Sequence, residues 1–292
     1  MRVAIYGRTL SEIAAADLQQ VFDCLRKHKV SIVLHRNFKT SIQNKLDYLL
    51  DFDTFDSHED IADKADFLFS LGGDGTLLDT AVLVKDSGVP VIGINFGRLG
   101  FLASIHKNEI DNAVQSIINK EYVVEQRKLL SLTTENEHFK NRNFALNDII
   151  IHKRDSSAMM IVHAYINDTF LNSYWSDGLI IATPTGSTAY SLSCGGPIVH
   201  PKSNNIVITP ISPHNLNVRP VVLPNDVQLA FEVECRNSKY LVSCDSRTEM
   251  LEITEKITVR QADFCLNLVR LSTENYFLTL RNKLNWGLDI RN

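Results

Sequence analysis

The chain has 292 residues, 44% of them hydrophobic, and a formal net charge of −4. That is enough chain for two domains with real cores and no need of disulfide staples. No block of like charges reads as a nucleic-acid arm, and no apolar stretch approaches the ~20 residues of a membrane span.

Val3 to Tyr6 is a short apolar run closing on Gly7 and predicts a strand. Ser11 to Lys27 then sets Ile13, Leu18, Val21, Phe22 and Leu25 at helical spacing. Val30 to Leu34 predicts a second strand and Ile42 to Leu50 a second helix. A polar, acidic passage from Asp51 to Asp66 leads into a strand over Phe67 to Leu71. After a glycine turn, Leu77, Leu78, Ala81, Val82 and Val84 form the apolar face of a helix that stops near Gly88 and Pro90. Val89 to Ile94 is the next strand. Strands alternating with helices, each strand almost continuously apolar, imply a parallel sheet covered on both faces.

The pattern changes after Phe101, where β-patterned runs follow one another with little helical periodicity between them. They are Tyr122 to Val124, Leu129 to Thr133, Ala145 to Ile151, Met159 to Ile166, Phe170 to Tyr174 and Leu179 to Ala182. Others follow at Ile206 to Ile208, Val227 to Val233, Tyr240 to Val242 and Met250 to Val259. Asn167-Asp168 marks a tight turn. Glu274 to Leu284 returns to helical spacing with Tyr276, Phe277, Leu280 and Leu284. The predicted fold is α/β plus all-β. A doubly wound parallel-sheet domain (1–103 and 273–292) is followed by a β-sandwich-like domain (104–272), the C-terminal segment returning to the first.

The five cysteines (Cys24, Cys194, Cys235, Cys244 and Cys265) are scattered, form no C-x-x-C pair and suit small buried residues of a reduced compartment. The N-terminal run has no signal-peptide layout, so a cytoplasmic protein is expected.

One stretch draws the rest together. Gly72-Gly73-Asp74-Gly75-Thr76 lies between the strand ending at Leu71 and a helix, at the carboxyl end of a strand, where ligands of such sheets gather. Its glycines let backbone approach an anion, and the amides of the following helix point at that anion. A carboxylate there would repel phosphate unless it had chemistry to do. A base on a hydroxyl attacking a phosphoryl group is such a reason. The plainer reading is an Asp capping a helix beside a glycine turn.

Three stretches of the β half are too polar for simple strand connection. Asp177-Gly178 begins a strand that runs into Thr183-Pro184-Thr185-Gly186-Ser187-Thr188-Ala189-Tyr190. This turn is rich in neutral donors and acceptors, with a ring that could lie against a base and Ser187 or Thr188 placed to cap whatever follows. Asn147-Asp148 interrupts the apolar run Phe144 to Ile151. One of the two should face inward, satisfied by backbone or holding a ligand hydroxyl. Ser243-Cys244-Asp245-Ser246-Arg247 ends a β run with an Asp and an Arg, which by default is a surface turn. The chain has no Walker A sequence, no dinucleotide fingerprint of the right spacing, no H-E-x-x-H pair and no G-x-S-x-G elbow.

In this order and spacing, Gly72 to Thr76, Gly97-Arg98-Leu99-Gly100-Phe101-Leu102, Asn147-Asp148, Asp177-Gly178 and Thr183 to Tyr190 resemble the NAD kinase family over most of the chain. The first element alone is shared with diacylglycerol- and sphingosine-type lipid kinases; the Thr183 to Tyr190 stretch is far more specific. The resemblance implies transfer of the terminal phosphoryl group of ATP, or of polyphosphate, to the 2′-hydroxyl of the adenosine ribose of NAD. Mg²⁺ would be held mainly by the donor phosphates. It further implies Asp74 as general base and Gly73 and Gly75 as the close approach to phosphate, with Phe101 lining the cleft. Asn147 and Asp148 would take the ribose and adenine side of NAD and Asp177 the nicotinamide end. Thr188, Ala189, Tyr190, Ser191, Leu192 and Ser193 would form the adenine pocket, and Asp245 and Arg247 would lie near the phosphates. Family members are usually homodimers or homotetramers. No protein metal ligand, nucleic acid or membrane partner is implied.

Two positions differ from common family residues: Ser246, where many members have Gly, and Trp175, where some bacterial members have Arg. The competing readings are a lipid kinase of the wider superfamily and a catalytically silent NAD-binding regulator. The first leaves the Thr183 to Tyr190 stretch unexplained, and the second gives Asp74 nothing to do.

Overall fold

The computed structural model describes residues 1–8, 13–43, 52–155, 159–236, 238–272 and 275–285. The chain divides into two compact units, Met1–Gln126 with Leu266–Asn292, and Arg127–Cys265. The α/β plus all-β architecture expected from the sequence is the one observed.

In the first unit, β1 (Arg2–Gly7), β2 (Ser31–His35), β3 (Asp53–Phe55), β4 (Phe67–Leu71) and β5 (Val91–Asn95) form a parallel sheet in the order β5-β4-β1-β2-β3. All five residues of β4 and of β5 are buried, as a sheet covered on both faces requires. The helices are α1 (Ala15–Lys27), α2 (Arg36–Ile42), α3 (His58–Ala62), α4 (Asp74–Val84) and α5 (Ile110–Ile118). Helices α1 and α5 pack on each other, as do α3 and α4. Leu18, Val21, Phe22 and Leu25 of α1 share one core with Val114 and Ile117 of α5 and with Val3, Ile5, Phe69 and Ile92. The alternate strand residues Ala4, Leu68 and Val91 are fully buried too, which accounts for strands with no polar face.

Several local expectations change. A helix not expected from the sequence, α2, covers Arg36–Ile42, and the helix expected over Ile42 to Leu50 falls on positions 44–51, which lie outside the described residues. The acidic passage Asp51 to Asp66 contains β3 and α3, the latter capped by the Ser57 hydroxyl accepting from the Asp60 amide. The region after Phe101 holds α5, whose buried Ile110, Ala113, Val114 and Ile117 lie at helical spacing within nine residues.

The second unit is built from two antiparallel sheets. After β6 (Ile105–His106) and β7 (Tyr122–Thr134), a single strand where two runs were expected, come β8 (Phe144–Ala145), β9 (Asp148–His152), β10 (Met160–Ile166), β11 (Thr169–Ser176) and β12 (Gly178–Ala182). They are followed by β13 (Asn205–Ile211), β14 (Val221–Pro224), β15 (Leu229–Cys235), β16 (Lys239–Cys244), β17 (Arg247–Glu252) and β18 (Ile257–Leu271). One sheet runs β14-β13-β12-β9-β16-β17; in the other, β11, β10, β15 and the start of β18 are neighbours in that order. Ile149, Ile181, Ile208 and Val242 of the first share a core with Met160, Val162, Phe231 and Val259 of the second, so the two sheets form a sandwich. The run expected over Met250 to Val259 is the end of one strand and the start of another.

Asn167 and Asp168 both have positive φ between the paired Ile166 and Thr169, the geometry of the tightest hairpin turn. Strand β18 carries the chain from the second unit into the first, where Leu268 pairs in parallel with Val91 of β5. The last element among the described residues is α7 (Tyr276–Leu284), capped by the Asn275 side chain accepting from the amides of Phe277 and Leu278.

Candidate active site

The glycine turn takes its shape from crowding. Gly72 has φ of 149° and packs against the Thr76 side chain so closely that an added Cβ would lie 2.3 Å from Oγ1. Only glycine fits there. Gly72 donates its amide to Ile94 of the neighbouring strand at 2.9 Å, and the Gly73 carbonyl accepts from Thr76 and Leu77 at 3.0 and 3.2 Å. Helix α4 thus starts at Asp74, with the dipole of an eleven-residue helix behind it. Gly73 is exposed, with nothing within 4 Å on its Cβ side.

Asp74 does not cap its own helix. Its Oδ2 accepts from the Phe101 amide at 2.8 Å, and its Oδ1 from the amides of Leu102 and Ala103, both at 2.9 Å. The segment Gly97 to Ala103 is folded to make this possible. The buried Asn95 side chain accepts from the Gly97 amide at 2.7 Å and donates to the Arg98 carbonyl at 2.5 Å. Gly100 donates to the Ala103 carbonyl at 3.1 Å, and a Cβ on Gly100 would fall 2.0 Å from Asp74 Oδ1. The first unit therefore brings Gly73, Asp74, Gly75 and the half-buried Phe101 together.

Sequence reasoning passed over Arg8. It follows β1 directly, and a Cβ on Gly75 would lie 3.2 Å from its Nη1. Asp79, one turn along α4, holds the other edge of the guanidinium, with Nε donating at 2.5 Å and Nη2 at 2.9 Å. The Tyr6 hydroxyl donates to the same carboxylate at 3.1 Å. The available signal was a lone Arg after the glycine that ends the first strand.

The second unit gathers the other candidates around the β16–β17 hairpin. Cys244 pairs with Arg247, leaving Asp245-Ser246 as a two-residue turn. Asp245 alone has positive φ, at 53°, so the common glycine at 246 is not needed for this turn. The Asp245 side chain is only 2% exposed. It accepts from the amides of Leu146, Asn147 and Asp148 at 2.9, 2.8 and 3.3 Å. Those amides come from the break in the run Phe144 to Ile151, and their capture explains why the strand is interrupted there. Arg247 donates to the carbonyls of Arg142 and Phe144, the latter at 2.5 Å, stacks over the Phe144 ring at 5.3 Å, and lies 3.4 Å from Asp245. Its guanidinium is thus committed to backbone and ring. Asp148 is the inward-facing member of its pair, 4% exposed. Burial, with Asp245 beside it, pushes its carboxyl up to about 7.

The hydroxyl-rich turn is tied to the same place. Thr183 donates its hydroxyl to the Leu146 carbonyl at 2.6 Å and its amide to the Asn147 carbonyl at 2.9 Å. Gly186 leaves its bare Cα against that Asn147 carbonyl. Neither Ser187 nor Thr188 caps the short helix α6 (Tyr190–Ser193): their hydroxyls donate to the carbonyls of Pro184 and Thr185, which close the preceding turn. Ser191 is buried and bonded to the Thr209 hydroxyl at 2.8 Å. Thr188, Ala189 and Leu192 are half-buried, while Tyr190 and Ser193 are exposed. A pocket of about 330 Å³ brings Asp177 and Tyr190 together with Ile150, His152, Lys153 and Ile211. Lys153, which sequence reasoning also missed, lies 2.6 Å from Asp177.

The family model of the ATP-NAD kinase N-terminal domain matches residues 3–122, and that of the C-terminal domain residues 146–271. The chain belongs to the NAD kinase family. The NAD kinases of Cytophaga hutchinsonii and Flavobacterium johnsoniae are 45% and 44% identical to it, and that of Porphyromonas gingivalis 36%. The first two alignments cover 100% of both chains and the third 99%. Yeast NADH kinase complexed with NADH superposes with a TM-score of 0.89 at 24% identity, over 100% of this chain and 89% of that one. An NAD kinase from Archaeoglobus fulgidus in complex with ATP gives 0.75 at 24% identity, over 98% and 99%. These structural likenesses bear on the fold.

Proposed function

We propose that the chain transfers the terminal phosphoryl group of MgATP to the 2′-hydroxyl of the adenosine ribose of NAD, giving NADP. The observation that carries this reading is the turn Gly72 to Thr76. There a helix N-terminus, an exposed glycine and the Arg8 guanidinium stand beside a carboxylate that belongs to a different bonding system. Amides and guanidinium stabilise the charge spread over the phosphoryl oxygens, and the carboxylate takes the proton. In the step, the ribose oxygen bonds to the γ-phosphorus as the bond from that phosphorus to the β-bridging oxygen breaks. ADP leaves and the proton passes to Asp74. Of its two oxygens, Oδ2 accepts a single amide and is the one assigned to the proton, since Oδ1 accepts two.

The second unit binds NAD in this reading. The buried Asp148 carboxyl has burial and a neighbouring carboxylate against it, and ribose hydroxyls donating to it would supply what it lacks. Asp177, Tyr190 and Lys153 line one pocket and take the remainder of the dinucleotide, while Asn147 and the 188–193 segment complete the adenosine side. Asp245 and Arg247 act one step removed, by shaping the Leu146 to Asp148 backbone. Magnesium enters with the nucleotide as part of the substrate. Homo-oligomeric assembly is carried over from the resemblance, and a cytoplasmic setting rests on the scattered cysteines, which suit a reduced compartment.

The test is NADP formation by purified protein given ATP, Mg²⁺ and NAD. Wild type turns over, and Asp74→Asn loses about 10²- to 10⁴-fold in kcat, the usual worth of a general base. Absence of turnover in the wild type, or full turnover in the Asn variant, would remove the assignment.

A further inference from the structure

Asp74 holds the 101–103 amides from one side, and Arg270, near the end of β18, holds the same segment from the other. Arg270 Nη2 donates to the Phe101 carbonyl at 2.6 Å, and Nη1 to the Leu102 carbonyl at 3.3 Å and to the Ser104 hydroxyl at 2.5 Å. Its Nε lies 3.6 Å from Glu125, and its side chain is 13% exposed. The Phe101 carbonyl and the Leu102 amide belong to one peptide unit, and the Leu102 carbonyl and the Ala103 amide to the next. Two consecutive peptides are therefore gripped at both ends, by a guanidinium on their carbonyls and by Asp74 Oδ1 on their amides. A cation on a peptide carbonyl polarises the group and strengthens the hydrogen bond its amide donates. The third amide, Phe101's, goes to Oδ2.

We infer that Arg270 is a positioning residue for Asp74. Through these two peptides it locks Oδ1, fixes the rotation of the carboxylate and leaves Oδ2 as the oxygen that exchanges its single amide for the attacking hydroxyl. The inference rests on the base role given to Asp74 above. A bidentate guanidinium is what the geometry requires, because an ammonium cannot grip two successive carbonyls along one plane.

The test is steady-state kinetics of Arg270→Met and Arg270→Lys, with circular dichroism confirming the fold. Arg270→Met lowers kcat about 10- to 100-fold, the effect of misplacing a reacting group by about 1 Å. KM for ATP and for NAD stays within about threefold, because ground-state binding is not what the residue supplies. Arg270→Lys falls between Met and wild type, and if the Met variant does not fold, the same split is read on Lys. In an Asp74→Asn background, measured by single turnover with excess enzyme, Arg270→Met costs less than about twofold more, since the two residues act as one unit. Multiplicative losses in the double variant, or a change confined to KM, would overturn the inference. Failure of the wild type to form NADP would instead remove the proposed function.

Discussion

Asp148 and Asp245 are joined by two hydrogen bonds, each donated by a backbone amide of one to the other, at the turn between β16 and β17. The Asp245 amide donates to the Asp148 carbonyl at 3.0 Å, while the Asp148 amide donates to Asp245 Oδ1 at 3.3 Å. This locks two buried carboxyls beside each other, with Arg247 and three amides gathered on Asp245. Burial pushes both carboxyls upward. The charge of Asp245 acts on Asp148, while three amides and Arg247 hold Asp245 down, so Asp148 is the member that keeps its proton into the neutral range.

A pH signature follows. Asp148 titrates at about 7 in the folded protein and near 3.9 in an unfolded chain. Between those values the native state binds the extra proton, so this group's contribution to stability is full below about pH 4, falls as pH rises to about 7, and is constant above. Asp148→Asn removes the dependence. Thermal or urea melts at pH 5, 6, 7 and 8 should show the variant gaining on wild type across this range, by at most about 3 kcal/mol for the two pKa units between pH 5 and the folded value. A stability difference that does not change with pH would count against the buried-pair description.

The Arg247 guanidinium faces carbonyls of Arg142 and Phe144, the Phe144 ring and the Asp245 carboxylate. Removing it leaves a buried carboxylate and two carbonyls without their cation, so Arg247→Met destabilises by about 3 kcal/mol. The urea midpoint reads this without substrate. A midpoint equal to that of wild type, together with a raised KM for ATP, would make Arg247 a phosphate ligand and not a brace.

Gly100 lies where any side chain would enter the Asp74 carboxylate, its would-be Cβ 2.0 Å from Oδ1. Gly100→Ala must break the bonds from Leu102 and Ala103, and kcat falls by about 100-fold through lost orientation. Gly73→Ala is the control for folding, because its Cβ side is open. Equal activity of the Gly100 variant and wild type would show that the grip on Asp74 is dispensable.

Much of the fold was legible because its signals are local. The alternation of strand and helix up to Asn95, the turn at Asn167-Asp168 and most β runs follow from periodicity and turn chemistry within a few residues. What was missed is short or at an edge: β3 and α3 within an acidic passage, α5 with its single apolar stripe, and β14, which ends in Pro224 at the edge of its sheet. The glycine turn and its Asp were plain in the sequence; of Asn147 and Asp148 it said only that one faces inward, and the structure makes that one Asp148. The groups that hold these carboxyls were not plain. Asp74 is bonded to amides that carry no side-chain signature, and Arg8, Lys153 and Arg270 reach their places through strand order.

Strand β18 returns to the first unit only at the end of the chain, where Leu268 pairs with Val91 and Arg270 meets the Phe101 carbonyl. A ribosome that has delivered the whole second unit has still not delivered the residue that fastens the loop on Asp74. The first unit matures last although it is made first, and its completion waits on contacts far apart in sequence, the slow kind to form. A product terminated before residue 270 would carry Asp74 and every candidate substrate-binding residue, and would lack the fastening on which the proton acceptor depends.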